Sequence, residues 1–372
     1  MKKLVIFTQN LEFGGIQKVV SKLSNYLTSY YEVSIILAEN NKKIKQSLFS
    51  TISIYQIPTL KIDVNQKDIG HWLIEYRTKE LDKILKEIKP DILFSFAEYN
   101  NIIALKTLYK CKKIISLRAV FESMKAKKIH FLTFNEYKVL MQRYYPLASH
   151  MVTVSNYIKN EIQEIVPQLR TTTIYNGIEK DETNYICDVF PPKEEYILNI
   201  GRLHSQKGQV DLIKAFNMIK NKIPHKLLII GDGDERPILE NLIVQLKLEN
   251  RVFLMKGLIK PYIFMKSCDL FIFPSYYEGF PNTVIEAMRC KSAIISYKFE
   301  GYEEIFYRDD NLCDIGDIKE LSSKILYYLV NLDERTVLKK ESYLRSKNFT
   351  LENTLKKYKA VIEEVEKGLT NI

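Results

Sequence analysis

Hydrophobic and polar positions alternate along this chain in two periods. Short runs of β-branched and aromatic residues are each followed by a longer segment in which apolar residues recur every three or four positions. That alternation predicts βαβ units, and so parallel sheets covered by helices on both faces. In the first half, Leu4 to Phe7 predicts a strand, and a Gly14-Gly15 turn leads into a helix with Ile16, Val19, Val20, Leu23 and Leu27 on one face. Further strands are predicted at Glu32 to Leu37, Ile92 to Phe96, Lys113 to Leu117 and Met151 to Val154. A helix over 71–88 is expected to turn Trp72, Leu73, Tyr76, Leu81, Ile84, Leu85 and Ile88 inward. The second half predicts strands at Tyr196 to Ile200, Lys226 to Ile230, Val252 to Met255, Asp269 to Phe273 and Ala293 to Ser296, with helices near 209–222, 234–246, 282–290 and 317–330. After Thr350 as N-cap, Leu351, Leu355, Tyr358, Ile362 and Val365 predict a last amphipathic helix that stops at Gly368.

A chain of 372 residues exceeds one ordinary core and predicts two domains, each a Rossmann-like, doubly wound α/β sheet. The boundaries expected are 1–185, 186–349 and a final helix at 350–372 that packs back toward the first domain. The polar stretch Asp181 to Lys193, with Pro191-Pro192, reads as the linker. With 46% hydrophobic and 27% charged residues, the composition excludes a disordered chain. Cys111, Cys187, Cys268, Cys290 and Cys313 are odd in number and form no CxxC pair, so neither a disulfide framework nor a zinc site is predicted. Met1-Lys2-Lys3 ahead of Leu4 to Phe7 imitates a signal peptide, but the apolar run stops at Thr8-Gln9-Asn10. With no apolar stretch of about 18 residues, a cytoplasmic protein is expected.

Three glycine-marked loops carry the chemistry, each directly after a predicted strand, where open α/β sheets bind ligands. Glu278-Gly279-Phe280-Pro281-Asn282-Thr283-Val284-Ile285-Glu286 places two carboxylates around a tight loop and a helix start. The glycine admits close backbone approach, and helix-start amides receive phosphate or sugar oxygens. Gly201-Arg202-Leu203-His204-Ser205-Gln206-Lys207-Gly208 puts two cations on a glycine-bounded loop, suited to a diphosphate without a metal. Gly231-Asp232-Gly233-Asp234 lets a flat base lie against backbone. It is not a dinucleotide fingerprint, because Arg236 stands where a third glycine belongs, and no third ligand accompanies the two aspartates for a metal.

These residues resemble the retaining glycosyltransferases of family 4, with the two-domain GT-B fold. The resemblance spans essentially the whole chain. Glu278 through Glu286 is similar to the family's E-x7-E signature, Gly201 to Gly208 to its G-R-x-x-x-x-K-G loop, Gly231 to Gly233 to its G-x-G element, and Gly14-Gly15 to the glycine pair of its first loop. The resemblance implies two parallel-sheet domains facing each other across a cleft, the first binding the acceptor and the second a nucleotide-diphosphate sugar, with UDP the expected nucleotide. It implies that Glu286 holds the ribose hydroxyls, that Glu278 contacts the donor sugar, and that Arg202 and Lys207 hold the diphosphate. The amides of Gly279 to Asn282 would line the sugar pocket, with Thr283 beside them. Where the family often carries a histidine, this chain has Ser116-Leu117-Arg118-Ala119, and Arg118 is the expected substitute. The implied product is a lipid-linked or growing surface glycan: capsule, lipopolysaccharide, O-antigen or a protein-glycan precursor. A catalytically silent nucleotide-sugar binder and a sugar-nucleotide epimerase of the same plan are the alternatives.

Charge adds one expectation. Residues 1–185 carry 27 of the 55 Lys and Arg but 18 of the 45 acids, so nearly all of the net +10 sits in the first half. Between Ser123 and Tyr145, Lys125, Lys127, Lys128, Lys138 and Arg143 interleave with Phe131, Leu132, Phe134, Tyr137, Leu140, Met141, Tyr144 and Tyr145. Such a segment suits the anionic inner face of a plasma membrane, where a polyprenyl-linked acceptor would lie. Nucleic acid is not an expected partner, because no recognised binding module is present.

Overall fold

The computed structural model describes residues 1–12, 14–39, 44, 46–60, 68–125, 130–179, 189–258 and 261–368. The chain forms two compact units, Met1–Asn176 with Asn353–Ile372, and Gly177–Glu352. Most of the expected linker (180–188, including Cys187) lies outside the described residues, as do Lys127 and Lys128.

In the first unit, β1 (Lys3–Thr8), β2 (Glu32–Leu37), β3 (Ser53–Gln56), β4 (Ile92–Phe96), β5 (Lys112–Leu117), β6 (His150–Thr153) and β7 (Thr171–Thr173) form one sheet of order β3-β2-β1-β4-β5-β6-β7. Every pairing in it is parallel. Its helices are α1 (Gly15–Leu27), α2 (Ile69–Ile88), α3 (Glu98–Lys106), α4 (Phe121–Lys125), α5 (Phe134–Tyr144) and α6 (Asn156–Ile165). Strand β4 is buried along its whole length, and β1 past its first residue, as strands covered on both faces must be.

The second unit repeats the plan with β8 (Tyr196–Ile200), α7 (Gln209–Ile219), β9 (Lys226–Ile230), α8 (Arg236–Gln245), β10 (Val252–Met255), α9 (Tyr262–Ser267), β11 (Leu270–Phe273), α10 (Asn282–Arg289), β12 (Ile294–Tyr297), β13 (Leu312–Cys313), α11 (Ile318–Val330) and α12 (Leu332–Ser346). Its sheet runs β10-β9-β8-β11-β12-β13, again parallel throughout. The last helix, α13 (Leu351–Lys367), sends Tyr358, Val361, Ile362 and Val365 into the core of the first unit beside Leu4, Ile6, Phe94 and Phe96.

The structure differs from the sequence expectation in three edge strands, in helices α3, α6, α9 and α12, which were not predicted, and in the face that α2 buries. Strands β3, β7 and β13 were not predicted; all three lie at sheet edges and are too short to show a period. The buried stripe of α2 is also turned from the one expected: Leu73, Ile74, Arg77, Thr78, Leu81, Asp82 and Leu85 face inward. Trp72 is instead exposed and stacks on Tyr76, ring centroids 6.0 Å apart. Asp82 explains part of the turn, accepting the backbone N–H groups of Leu108 (3.1 Å) and Tyr109 (3.0 Å) in the loop after α3.

Candidate donor site

In the second sheet β8 and β11 are neighbours, while the chain proceeds from β8 toward one edge and from β11 toward the other. Ligands of open α/β sheets bind outside the carboxyl ends of the strands at such a crossover. The loops that leave there are residues 201–208 and 274–281, the two most informative segments of the sequence. They are stapled together. Tyr276 donates its N–H to the Gln206 carbonyl (2.9 Å), and the Gln206 side chain donates to the Tyr277 carbonyl (2.6 Å). The Lys207 ammonium donates to Glu278 Oε1 in an ion pair whose side chains are 16% and 10% exposed. Lys207 Nζ also stands 5.5 Å from the ring centroid of Phe273, the last residue of β11. Gly208, in left-handed backbone at φ 62°, is forced: a Cβ there would lie 2.1 Å from the Pro274 carbonyl oxygen.

The third loop joins from β9. Leu203 donates its N–H to the Asp232 carbonyl (2.9 Å), and Glu235 donates to the Leu203 carbonyl (3.1 Å). A Cβ on Gly231 would stand 1.8 Å from the Gly201 carbonyl oxygen, so these loops pack backbone on backbone. Gly233 meets Leu203 in the same way. Asp232 accepts the N–H of Gly257 (2.8 Å), a structural task for an acid that stood as a rejected metal ligand.

Helix α10 starts at Asn282 with Pro281 in the cap position and no side chain capping it. The positive end of its dipole therefore lies next to Glu278 and Gly279. Glu278 is buried, Phe280 packs edge-on to Phe349 (5.5 Å), and Glu286 lies half-buried within α10, one turn beyond Thr283. Arg202 is exposed at the start of its loop. Lys207 and Glu278 are thus in direct contact; for Arg202 and Glu286 the structure gives loop and helix positions beside that pair.

Sequence reasoning missed the polar residues that hold the loops. Asn199, inside the apolar run of β8, donates to the Ile272 carbonyl of β11 (2.9 Å), and Gln209 donates to the Arg202 carbonyl (3.0 Å). Asp211 Oδ2 accepts the hydroxyls of Tyr276 (2.6 Å) and Tyr297 (3.1 Å). A buried asparagine in the middle of a hydrophobic strand was the readable signal.

In the first unit Gly14 caps α1 at φ 152° and Gly15 opens that helix, both exposed. Asn10 Oδ1 orders this loop, accepting from Glu12 N (3.2 Å) and Gln17 Nε2 (3.0 Å). Arg118 follows β5 and is 9% exposed. Its guanidinium donates to the Tyr358 hydroxyl (3.0 Å) and to Asn176 Oδ1, so it ties α13 to the sheet as it stands. In the basic segment, Leu132, Tyr137, Leu140, Met141 and Tyr145 are core residues, which leaves Lys125, Lys138, Arg143, Phe131 and Val139 on the surface. No described helix is long and apolar enough to cross a membrane. Among the described residues, one group has metal-type ligands, Glu195, His225 and Asp269, at the opposite, amino edge of the second sheet. There Asp269 already pairs with Arg335 (3.2 Å) and His225 (3.4 Å).

Two parallel-sheet α/β domains with glycine loops gathered at a sheet crossover have the GT-B plan, and family models identify the chain as a glycosyltransferase. Residues 13–182 match Glycosyltransferase Family 4 and residues 188–345 match Glycosyl transferases group 1. The chain belongs to glycosyltransferase family 4. It is 28% identical over 328 residues to the N-acetylgalactosamine-N,N'-diacetylbacillosaminyl-diphospho-undecaprenol 4-alpha-N-acetylgalactosaminyltransferase of Campylobacter jejuni, covering 83% of this chain and 85% of that one. Among solved structures, the sucrose-phosphate synthase of Thermosynechococcus elongatus superposes with a TM-score of 0.83 over 99% of this chain and 100% of that one, at 15% identity. Anabaena HepE in complex with UDP gives 0.73 over 97% and 100%, at 16% identity.

Proposed function

We propose that this enzyme transfers a hexose or N-acetylhexosamine from a UDP-sugar, with retention of configuration, to a lipid-linked or growing surface glycan at the inner face of the plasma membrane. The observation that carries the reading is the stapling of the Gly201–Gly208 loop to the Glu278 loop through Lys207. It sets a cation, a carboxylate and an open helix start side by side at the crossover. In this reading Lys207 and Arg202 grip the diphosphate, Glu278 and the backbone of Gly279 to Asn282 hold the sugar, Glu286 holds the ribose, and Gly231 to Gly233 admit the base. The bond from the anomeric carbon to the β-phosphate oxygen breaks, and the acceptor oxygen bonds to the same face of that carbon. The acceptor proton passes to the departing phosphate. Catalysis is then positioning plus stabilisation of the leaving diphosphate by fixed cations and the α10 dipole, with no metal assigned a role. UDP is supported by the HepE complex, and a polyprenyl diphosphate carrier by the printed substrate of the Campylobacter relative.

The test is to incubate the full chain with a panel of nucleotide sugars, with and without vesicles bearing undecaprenyl-diphosphate glycans. Nucleoside diphosphate release and the anomeric configuration of the product are followed by NMR. Turnover of one donor with retention supports the reading; absence of any donor binding or turnover sinks it, and an inverted product removes the same-face mechanism. Salt-sensitive sedimentation with anionic vesicles tests the membrane surface offered by Lys125, Lys138 and Arg143.

A further inference from the structure

We propose that the carboxyl edge of the first sheet contains a phosphate-binding site centred on Arg77, which holds the phosphate of the acceptor's lipid carrier. The choice of ligand rests on the function proposed above; the site itself rests on the geometry of the first unit. Arg77 projects from α2 into the interior and is 8% exposed. Its buried Nη1 has no hydrogen-bond partner, and no carboxylate forms an ion pair with it among the described residues. Its contact is the ring of Tyr99, whose centroid lies 5.3 Å from the guanidinium carbon. A buried cation without a partner is costly, and folds retain one where an anion is supplied.

What surrounds it is a set of donors. Tyr99 stacks on His130 with ring centroids 4.1 Å apart. The hydroxyls of Tyr99 and Tyr137 are both buried without a hydrogen-bond partner. Burial, and then the charge of Arg77, holds the His130 imidazole down at about 4, so it is neutral and has one N–H to give. Two carboxylates bear on the cluster: Glu39, whose charge acts on His130, and Glu98, whose charge, after burial, raises the phenol of Tyr137. A guanidinium fork, two hydroxyls and an imidazole offer more donors than the two oxygens of a carboxylate can take, and match the oxygens of a phosphate.

The position fits a ligand site. Glu98 and Tyr99 begin α3 directly after β4, which lies beside β1 where the first sheet reverses its order. That is the counterpart of the β8 and β11 crossover in the second unit. Ala97, at φ 79°, makes the turn between β4 and α3. Arg77 comes from α2, Tyr99 from α3, Tyr137 from α5 and His130 from the segment before α5, so several elements converge there.

Histidine NMR on the full chain tests the site, because His130 lies in it and His204 lies in the donor loop. Signals are assigned through His130→Gln and His204→Gln. Inorganic phosphate and geranyl diphosphate are titrated separately at millimolar concentration. The expected result is a saturable shift of the His130 signal, with its titration midpoint moved well above about 4 by the bound anion. Tighter binding of geranyl diphosphate assigns the site to a lipid carrier, and equal binding assigns it to free phosphate. Arg77→Met should weaken both probes by about tenfold or more and raise the melting temperature of the ligand-free chain, because an unpaired buried cation is gone. A His130 signal that neither probe moves overturns the proposal, as does Arg77→Met with unchanged probe binding. If that variant does not fold, Arg77→Lys keeps the charge and loses the fork; unchanged binding there overturns it equally. A donor reading that fails would show instead as a His204 signal indifferent to nucleotide sugars, whatever His130 does.

Discussion

Cutting the Lys207–Glu278 pair gives the most direct measure of how the donor site is held. Both side chains are largely buried, so Lys207→Met leaves a carboxylate in the interior without its cation, a change that costs about 3–5 kcal/mol when a buried pair is broken from one side. The residual exposure of 16% and 10% lets water screen Glu278 in part, which argues for the lower figure, about 3 kcal/mol. Glu278→Gln should cost less, roughly 2 kcal/mol, because the ammonium keeps the Phe273 ring and some water. The double variant removes both charges and should fall short of the sum by about 1–3 kcal/mol. Amide hydrogen exchange of β8 and β11 reads these values locally, where the two loops are anchored. Losses under about 1 kcal/mol for each single variant, or strict additivity, would refute the claim that the pair is a buried structural clamp as well as a ligand contact.

Other outcomes follow from the same coordinates. Gly231→Ala would press a methyl carbon against the Gly201 carbonyl at 1.8 Å, so soluble protein should bind nucleotide sugar at least about tenfold more weakly; unchanged affinity would show that the loops can part freely. His150, buried in β6 and bonded to Thr172 Oγ1 (2.9 Å), is held down at about 4 by burial first and the charge of Arg170 second. The unfolded chain takes up that proton more readily, so its contribution is complete above about pH 6.5 and is lost as pH falls toward about 4, up to about 3 kcal/mol. His150→Gln should flatten urea stability across that window, and an identical slope in the variant would contradict the assignment. Burial pushes the thiols of Cys268, Cys290 and Cys313 up to about 12, so iodoacetamide should label them only on unfolding; rapid labelling of the native chain would speak against a closed core.

The nine strands inside the two sheets were legible because they are largely apolar on both faces, and the edge strand β10 was legible from its run Val252 to Met255. Those that escaped are edge strands such as Thr171–Thr173, whose half-buried threonines carry no hydrophobic run. Helices α3, α6, α9 and α12 escaped as well. Helix α3 is buried on nearly every side and shows no amphipathic stripe, while the buried stripe of α6 is only Ile158 and Ile162. In α2 the periodicity was present, but Trp72 outweighed Arg77 in a reading based on hydrophobicity, and only the packing reveals that the arginine went inside. The donor loops were readable because glycines at fixed offsets from strand ends have few other uses. Their fastening by Gln206, Asn199 and Asp211 was not, since those contacts join residues 65 or more positions apart.

The chain enters its second unit at Gly177 and leaves it near Glu352, and at that passage Ile178 and Leu351 exchange backbone hydrogen bonds with the segment opposite. Because Tyr358, Val361, Ile362 and Val365 belong to the core of the first unit, that core cannot close when the first 176 residues have left the ribosome. The nascent first unit must wait, with an apolar groove uncovered, while the whole second unit is synthesised. The order of completion therefore runs against the order of translation: the later sheet can finish first, and the earlier one is sealed by α13, which emerges after it.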